Sequence, residues 1–156
     1  MKNLLFTLLF AITLMLTTTG QQIPLADITR IAHTNAEVLW GTVFPADPIP
    51  YYSVDGEIVA WRFNYSIGTP FPARQEVLAQ CDQAKRAGQR DNQWGGNKFG
   101  RILMGASEKY PVVIEYSRSL SVEFARGMEL EAIAEKQLGA GFTLEKVYYI
   151  NETQQW

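Results

Sequence analysis

The chain has 156 residues, with 14 lysines and arginines against 16 aspartates and glutamates. The two signs are scattered along the sequence, so it lacks the basic stripe that nucleic acid binding requires. A single cysteine excludes a disulfide within the chain, and one cysteine with one histidine cannot build a closed zinc site.

The N-terminal segment MKNLLFTLLFAITLMLTTTG has the pattern of a secretory signal peptide. A short apolar run follows Lys2, and Thr18 and Gly20 are spaced like the small residues of a cleavage site. The run is shorter than the ~18 residues of a membrane-spanning helix. We therefore expect an exported protein, periplasmic or secreted, in which residues 1–20 are removed, residues 21–156 form one domain and no membrane span remains. An uncleaved anchor is the alternative.

A first helix is predicted from Leu25 to Leu39, because apolar residues recur there at helical spacing and Gly41 follows. The next segment, PIPYYSVDGEIVAWRFNYS, predicts a hairpin with a two-residue turn at Asp55-Gly56. That turn would put Tyr52 opposite Val59. The resulting apolar face, which a helix must cover, would hold Tyr52, Val54, Val59, Trp61, Phe63 and Tyr65.

A second helix is predicted between Pro72 and Gly88, with a narrow apolar stripe that includes Val77, Cys81 and Ala84. The glycine-rich stretch QRDNQWGGN predicts a loop. Two strands are predicted in the segments KFGRILMGAS and YPVVIEYS. The segments GMELEAIAEKQLG and FTLEKVYYI predict a third helix and a last strand. The fold class is therefore α+β, with a mostly antiparallel sheet of about five strands and two to three helices packed on one face.

Catalytic chemistry has little support in this sequence. A cysteine nucleophile needs a base, and the candidates are Cys81 and His33, each on a predicted helix. The carboxylate pair Glu129 and Glu131 is explained by a helix dipole, and the pair Glu108 and Glu115 by solvated strand ends. We expect a protein that is not an enzyme, with no catalytic residues, no metal and no cofactor.

Two stretches together resemble a known family. IPYYSVDGEIVAWRFNY is similar to the hairpin of the propeptides of streptopain-type cysteine peptidases and of the related streptopain-inhibitor proteins, and KFGRILMGASEKYPVVIEYS is similar to their following pair of strands. The second pattern is matched by Gly100, Ala106, Pro111, Ile114, Glu115, Tyr116 and Ser117. The chain departs from it where the second of two prolines is Val112, and in a longer insert at 68–98.

The resemblance implies a small module that binds a separate papain-like peptidase, and that inhibits it or assists its folding. The alternative is an exported protein of the same fold that recognises a small ligand or envelope component, which a pocket lined by Tyr51, Arg62 and Trp94 would favour. The glycine-rich loop is the predicted partner contact, with Trp94 as its anchor. Its residues are Asn92, Gln93, Trp94, Gly95, Gly96 and Asn97.

Overall fold

The computed structural model describes residues 20–89, 95–139 and 148–149. Within them lie helices α1 (Leu25–Trp40), α2 (Arg74–Arg86) and α3 (Val122–Leu138), and strands β1 (Val43–Pro45), β2 (Ile49–Tyr52), β3 (Ile58–Ile67), β4 (Phe99–Gly105), β5 (Val113–Ser117) and β6 (Tyr148–Tyr149). A turn of 3₁₀ helix, Gly96–Lys98, leads into β4.

The strands form one sheet in the order β5-β4-β3-β2-β6, and β1 also pairs with β3. All pairings are antiparallel except that of β6, which runs parallel to β2. The fold class predicted from the sequence, α+β with a mostly antiparallel sheet, is confirmed. Most of the predicted last strand lies outside the described residues, as do residues 1–19 of the predicted signal peptide.

One face of the sheet, which we call the α1 face, packs against α1. Phe63 and Tyr65 of β3 and Ile102 and Met104 of β4 are fully buried there, under small residues of α1 such as Ala32. The alternation of side chains along β3 creates this apolar face, as the sequence pattern predicted for Phe63 and Tyr65, and β4 extends it. The first helix ends at Gly41, whose φ of 79° suits glycine.

Helices α2 and α3 lie over the opposite face, which we call the α2/α3 face. Phe99, at the start of β4, contacts the apolar stripe of α2, and the backbone N–H of Ser121, just before α3, donates to Asn64 Oδ1 of β3 at 3.1 Å. The helices therefore divide between the two faces instead of sharing one. The physical reason is that β3 and β4 are central strands, whose second face also carries apolar residues such as Leu103 that must be buried.

The hairpin turn differs from the two-residue turn predicted. Gly56 N–H donates to Ser53 O, and Ser53 N–H donates to Glu57 O, so the loop has three residues with Gly56 at φ 83°. This is a type I turn followed by a left-handed residue. The register shifts by one residue only beside the turn, where Tyr52 pairs with Ile58. Beyond a bulge between Tyr51 and Tyr52, Tyr51 pairs with Ala60, as the two-residue turn predicted. Tyr51 is buried, Tyr52 is half-buried and Val54 is exposed.

Candidate functional site

The predicted partner-binding loop is described only in its second half. Asn92, Gln93 and Trp94 lie outside the described residues, so their role stays a prediction. Gly95 has a φ of 79°, and a Cβ there would lie 2.9 Å from Cε2 of Phe99. Gly95 is therefore required both by its backbone conformation and by the close packing of the Phe99 ring, which anchors this end of the loop on β4.

A groove of about 960 Å³ brings the described half of this loop together with the end of α2 and the end of β5. We call it the loop groove. The residues that line it are mostly polar: Gln80, Gln83, Ala84, Ala87, Gln89, Gly95, Gly96, Asn97, Lys98, Ser117 and Arg118. Amide and cationic side chains dominate this list, so the groove suits a polar ligand or segment more than an apolar one.

Strand β5 is the edge of the sheet beside this groove. In the described part of the chain it pairs only with β4, which leaves its outward backbone groups without a strand partner. Tyr116 on β5 is 61% exposed, and Val112 and Tyr110 just before the strand are also exposed. This edge therefore offers main-chain hydrogen bonds and apolar side chains together, as strand-adding interfaces do.

A buried charge cluster lies on the α2/α3 face. The Arg62 side chain is 7% exposed, and its Nη1 lies 3.4 Å from Glu115 Oε1, which is also 3.2 Å from Nε of Arg101. Burial alone would raise the pKa of Glu115, but the two guanidinium groups outweigh it and hold the pKa below its usual value. Glu115 is thus the ion-pair partner of buried Arg62 and half-buried Arg101, so the predicted solvated strand end is wrong for this residue.

A bulge in β5 makes this cluster possible. Leu103 pairs with Glu115 and Met104 pairs with Val113, so Ile114 is an extra residue. Ile114 packs with Leu103 on the α2/α3 face, whereas Val113 packs on the α1 face. Because of the bulge, the adjacent residues Ile114 and Glu115 both lie on the α2/α3 face. Ile114 packs in the apolar cluster, and Glu115 lies between the arginines.

Tyr51 and Arg62, two of the three residues whose shared pocket would favour a small ligand, are in contact. The Arg62 guanidinium carbon lies 5.7 Å from the centre of the Tyr51 ring. Burial raises the pKa of Tyr51, with Arg62 acting against that shift and Glu123 adding to it. Both side chains are buried, and the third residue, Trp94, lies outside the described residues. The pair therefore joins the charge cluster in the packed interior.

The sulfur and imidazole considered for catalysis lie on opposite sides of the sheet. His33 is on α1 with its ring 6.0 Å from that of Tyr65, and Cys81 is on α2 in the cluster with Phe99. Cys81 is buried, and this burial raises the pKa of its thiol. The sheet between them keeps the two groups from acting as a nucleophile and base.

Among the described residues, no three His, Cys, Asp or Glu side chains gather into a potential metal site. In the same part of the chain, no helix is long and apolar enough to cross a membrane.

Sequence reasoning missed the charge cluster and most of the loop groove. A signal for the cluster did exist, since Arg62 and Arg101 both interrupt strands that are otherwise rich in apolar residues. An arginine in a central strand must be paired or must reach water. No local signal identified their partner, because Glu115 lies on a different strand.

Comparisons with known proteins identified no relative: no family model, no curated protein and no solved structure matches the chain.

Proposed function

We propose that this chain is an exported, non-catalytic module that binds a separate papain-like cysteine peptidase and inhibits it or assists its folding. One observation carries the proposal. The two stretches that resemble streptopain propeptides and inhibitors occupy β2 to β5 of a single sheet, in which β3 and β4 pair without interruption from Ala60↔Gly105 to Ser66↔Phe99. The resembling residues thus belong to one structural unit.

The open edge of that unit supports binding to another protein. Strand β5 closes the resembling segment and has no strand on its outer side among the described residues. An extended segment of a peptidase can add to such an edge through main-chain hydrogen bonds, with Tyr116 as a side-chain contact. Aromatic residues at interfaces commonly contribute a large share of the binding energy.

The separation of His33 from Cys81 supports a role without catalysis, since the one cysteine has no imidazole within reach. The signal-like N-terminal segment supports export, where a partner peptidase would also be found.

The loop groove favours a second candidate function, the recognition of a small ligand or an envelope component. Its volume of about 960 Å³ lies within the range of small-molecule sites. Such sites are usually lined by apolar and aromatic side chains, and this groove is mostly polar. For this reason we favour peptidase binding over small-ligand recognition as the function.

Inhibition of exported papain-like cysteine peptidases from the same host tests the proposal. The protein without residues 1–20 should inhibit at least one of them at micromolar concentration and form a complex that survives gel filtration. The variant Tyr116→Ala should inhibit about tenfold less well. Val38→Ala is the matched control, because Val38 is an exposed apolar residue on α1, away from the β5 edge. The Val38→Ala variant should inhibit like the wild type.

Two results would count against this function. If no peptidase is inhibited and none binds, the peptidase-binding function is wrong and the small-ligand candidate replaces it. If inhibition occurs but Tyr116→Ala and Val38→Ala inhibit equally well, the β5 edge is not the contact.

A further inference from the structure

The loop groove has an unbalanced charge. Two cationic side chains, Lys98 and Arg118, line it, and none of its described lining residues is acidic. Both side chains are exposed. Within the described part of the chain, neither belongs to any of the ion pairs, whereas most other arginines near α2, such as Arg74 and Arg101, are paired with glutamates. The described lining of the groove therefore carries a net positive charge.

Hydrogen bonds at the end of helix α2 reduce the extent to which its partial negative charge offsets this positive charge. A helix C-terminus carries partial negative charge on its last carbonyl groups. Here Gln83 O accepts from Ala87 N–H at 3.0 Å and Ala84 O accepts from Gln89 N–H at 3.0 Å, so these two carbonyls of the last turn already have hydrogen-bond partners. Lys98 and Arg118 carry the full charges among the described residues that line the groove.

The rest of the lining suits an extended chain. The glutamine and asparagine side chains can both donate and accept hydrogen bonds, as a peptide backbone requires. Gly95 and Gly96 leave the main chain uncovered at the groove wall. Ser117, the last residue of β5, also lines the groove, so a strand that pairs with the β5 edge leads directly into it.

We propose that the loop groove binds an acidic, extended segment of the partner protein, with carboxylates placed against Lys98 and Arg118. This rests on the proposed function, because it names the part of the peptidase that the module recognises. Charged pairs at an interface rim act mainly on association rate and on the choice of partner. The groove thereby selects, among peptidases that could add a strand to β5, those with glutamates or aspartates beside that strand.

Binding of a labelled peptide tests the groove without a peptidase. The probe is a short fluorescent peptide that alternates glutamate and serine, and its control replaces each glutamate with glutamine. Fluorescence anisotropy should show that the protein binds the glutamate peptide and not the glutamine peptide. Affinity should fall as salt rises, because exposed charges are screened. The double variant Lys98→Gln/Arg118→Gln should bind about tenfold more weakly.

Arg30→Gln/Lys136→Gln is the matched control, since both residues are exposed, lie outside the groove and give the same loss of charge. It should bind the glutamate peptide like the wild type. Thermal melting of every variant checks that the fold is kept. Equal binding of the two peptides, or equal weakening by the groove variant and this control, would overturn the groove assignment.

Peptidase inhibition then separates the two proposals. If the glutamate peptide binds through Lys98 and Arg118 but no peptidase is inhibited, the acidic-segment site stands and the peptidase function fails. If the wild type and the groove variant inhibit a peptidase with equal potency, the peptidase function stands and the acidic-segment site is overturned.

Discussion

The indole ring of Trp40, at the end of α1, lies directly over Gly100 in β4. A Cβ at Gly100 would fall within 2.6 Å of three atoms of that ring. The φ of Gly100 is not in the left-handed region, so glycine is needed there for close approach and not for backbone freedom. This contact fixes how near the end of α1 comes to the sheet, beside the ring of Tyr65 at 6.1 Å.

Gly100→Ala should therefore destabilise the protein by about 1–3 kcal/mol, because an added methyl group forces the Trp40 ring out of its packed position. Urea unfolding followed by tryptophan fluorescence measures the change. The double variant Trp40→Leu/Gly100→Ala should lose less unfolding free energy than the sum of the losses in the two single variants, because the smaller side chain at residue 40 leaves room for the added methyl group. Strict additivity, or a stable single variant, would show that the ring moves freely.

Gly56 tests the three-residue turn. Its φ is 83° and nothing lies within 4 Å of an added Cβ, so a substitution acts through the backbone alone. Gly56→Val should destabilise the protein by ~1 kcal/mol or more, because a β-branched residue resists positive φ. Gly56→Asn should cost clearly less, since asparagine tolerates this conformation. Thermal melting measures the loss of stability in each variant. Equal decreases in melting temperature for the two variants would contradict the turn geometry.

The hairpin contains one feature that the sequence predicts and one that it does not. The alternation from Val59 to Tyr65 predicted the buried face of β3, because it depends only on side-chain period. An Asp-Gly pair is compatible with both two-residue and three-residue loops, since each places the glycine at positive φ. The three-residue loop shifts the pairing beside the turn, and a bulge between Tyr51 and Tyr52 then restores the pairing of Tyr51 with Ala60, a combination that no local pattern encodes.

In the candidate site, too, the local features could be predicted from the sequence and the long-range contacts could not. Gly95 to Asn97 could be identified from composition, because glycine and asparagine mark a loop. The loop groove could not, since α2 and the end of β5 reach it only after the sheet has formed. The partners of Arg62 were likewise hidden, because the bulge at Ile114 sets which face Glu115 occupies.

Glu115 should make stability depend on acid pH. Its pKa in the folded protein is lower than the ordinary 4.5, so the ionised form stabilises the fold. That contribution is fully present above about pH 4.5 and is lost as pH falls through the lowered pKa. At neutral pH, Glu115→Gln should cost about 2 kcal/mol, because it leaves buried Arg62 without its carboxylate. The difference from wild type should shrink at low pH.

Glu57→Gln is the control for that experiment, since Glu57 is exposed in the hairpin loop. Urea unfolding across the acid range should show little change for it at any pH. A Glu115→Gln effect that stays constant down to low pH would mean that lost packing, and not lost charge, causes the destabilisation.

Cys81 should react slowly with thiol reagents in the native protein. It is on the buried side of α2, and burial raises the pKa of its thiol, so both access and thiolate fraction are low. Labelling by a maleimide, followed by mass spectrometry, should be slow in buffer and fast in denaturant. A Cys81→Ala/Val38→Cys variant supplies a fast reference, because Val38 is 82% exposed. Native labelling as fast as this reference would contradict the burial.

Hydrogen exchange should show directly which edge a peptidase uses. If a peptidase segment adds to β5, the outward amides of Val113–Ser117 gain hydrogen-bond partners and should exchange more slowly in the complex. Strand β1 (Val43–Pro45) is the internal control, since among the described residues it pairs only with β3 and does not line the loop groove. Exchange in β1 should be the same in the free and bound protein. Protection that falls on β1 or α1 and spares β5 would place the interface on the other side of the sheet. In that case the exposed Tyr116 would be an ordinary surface residue, and the strand-adding mechanism would be wrong.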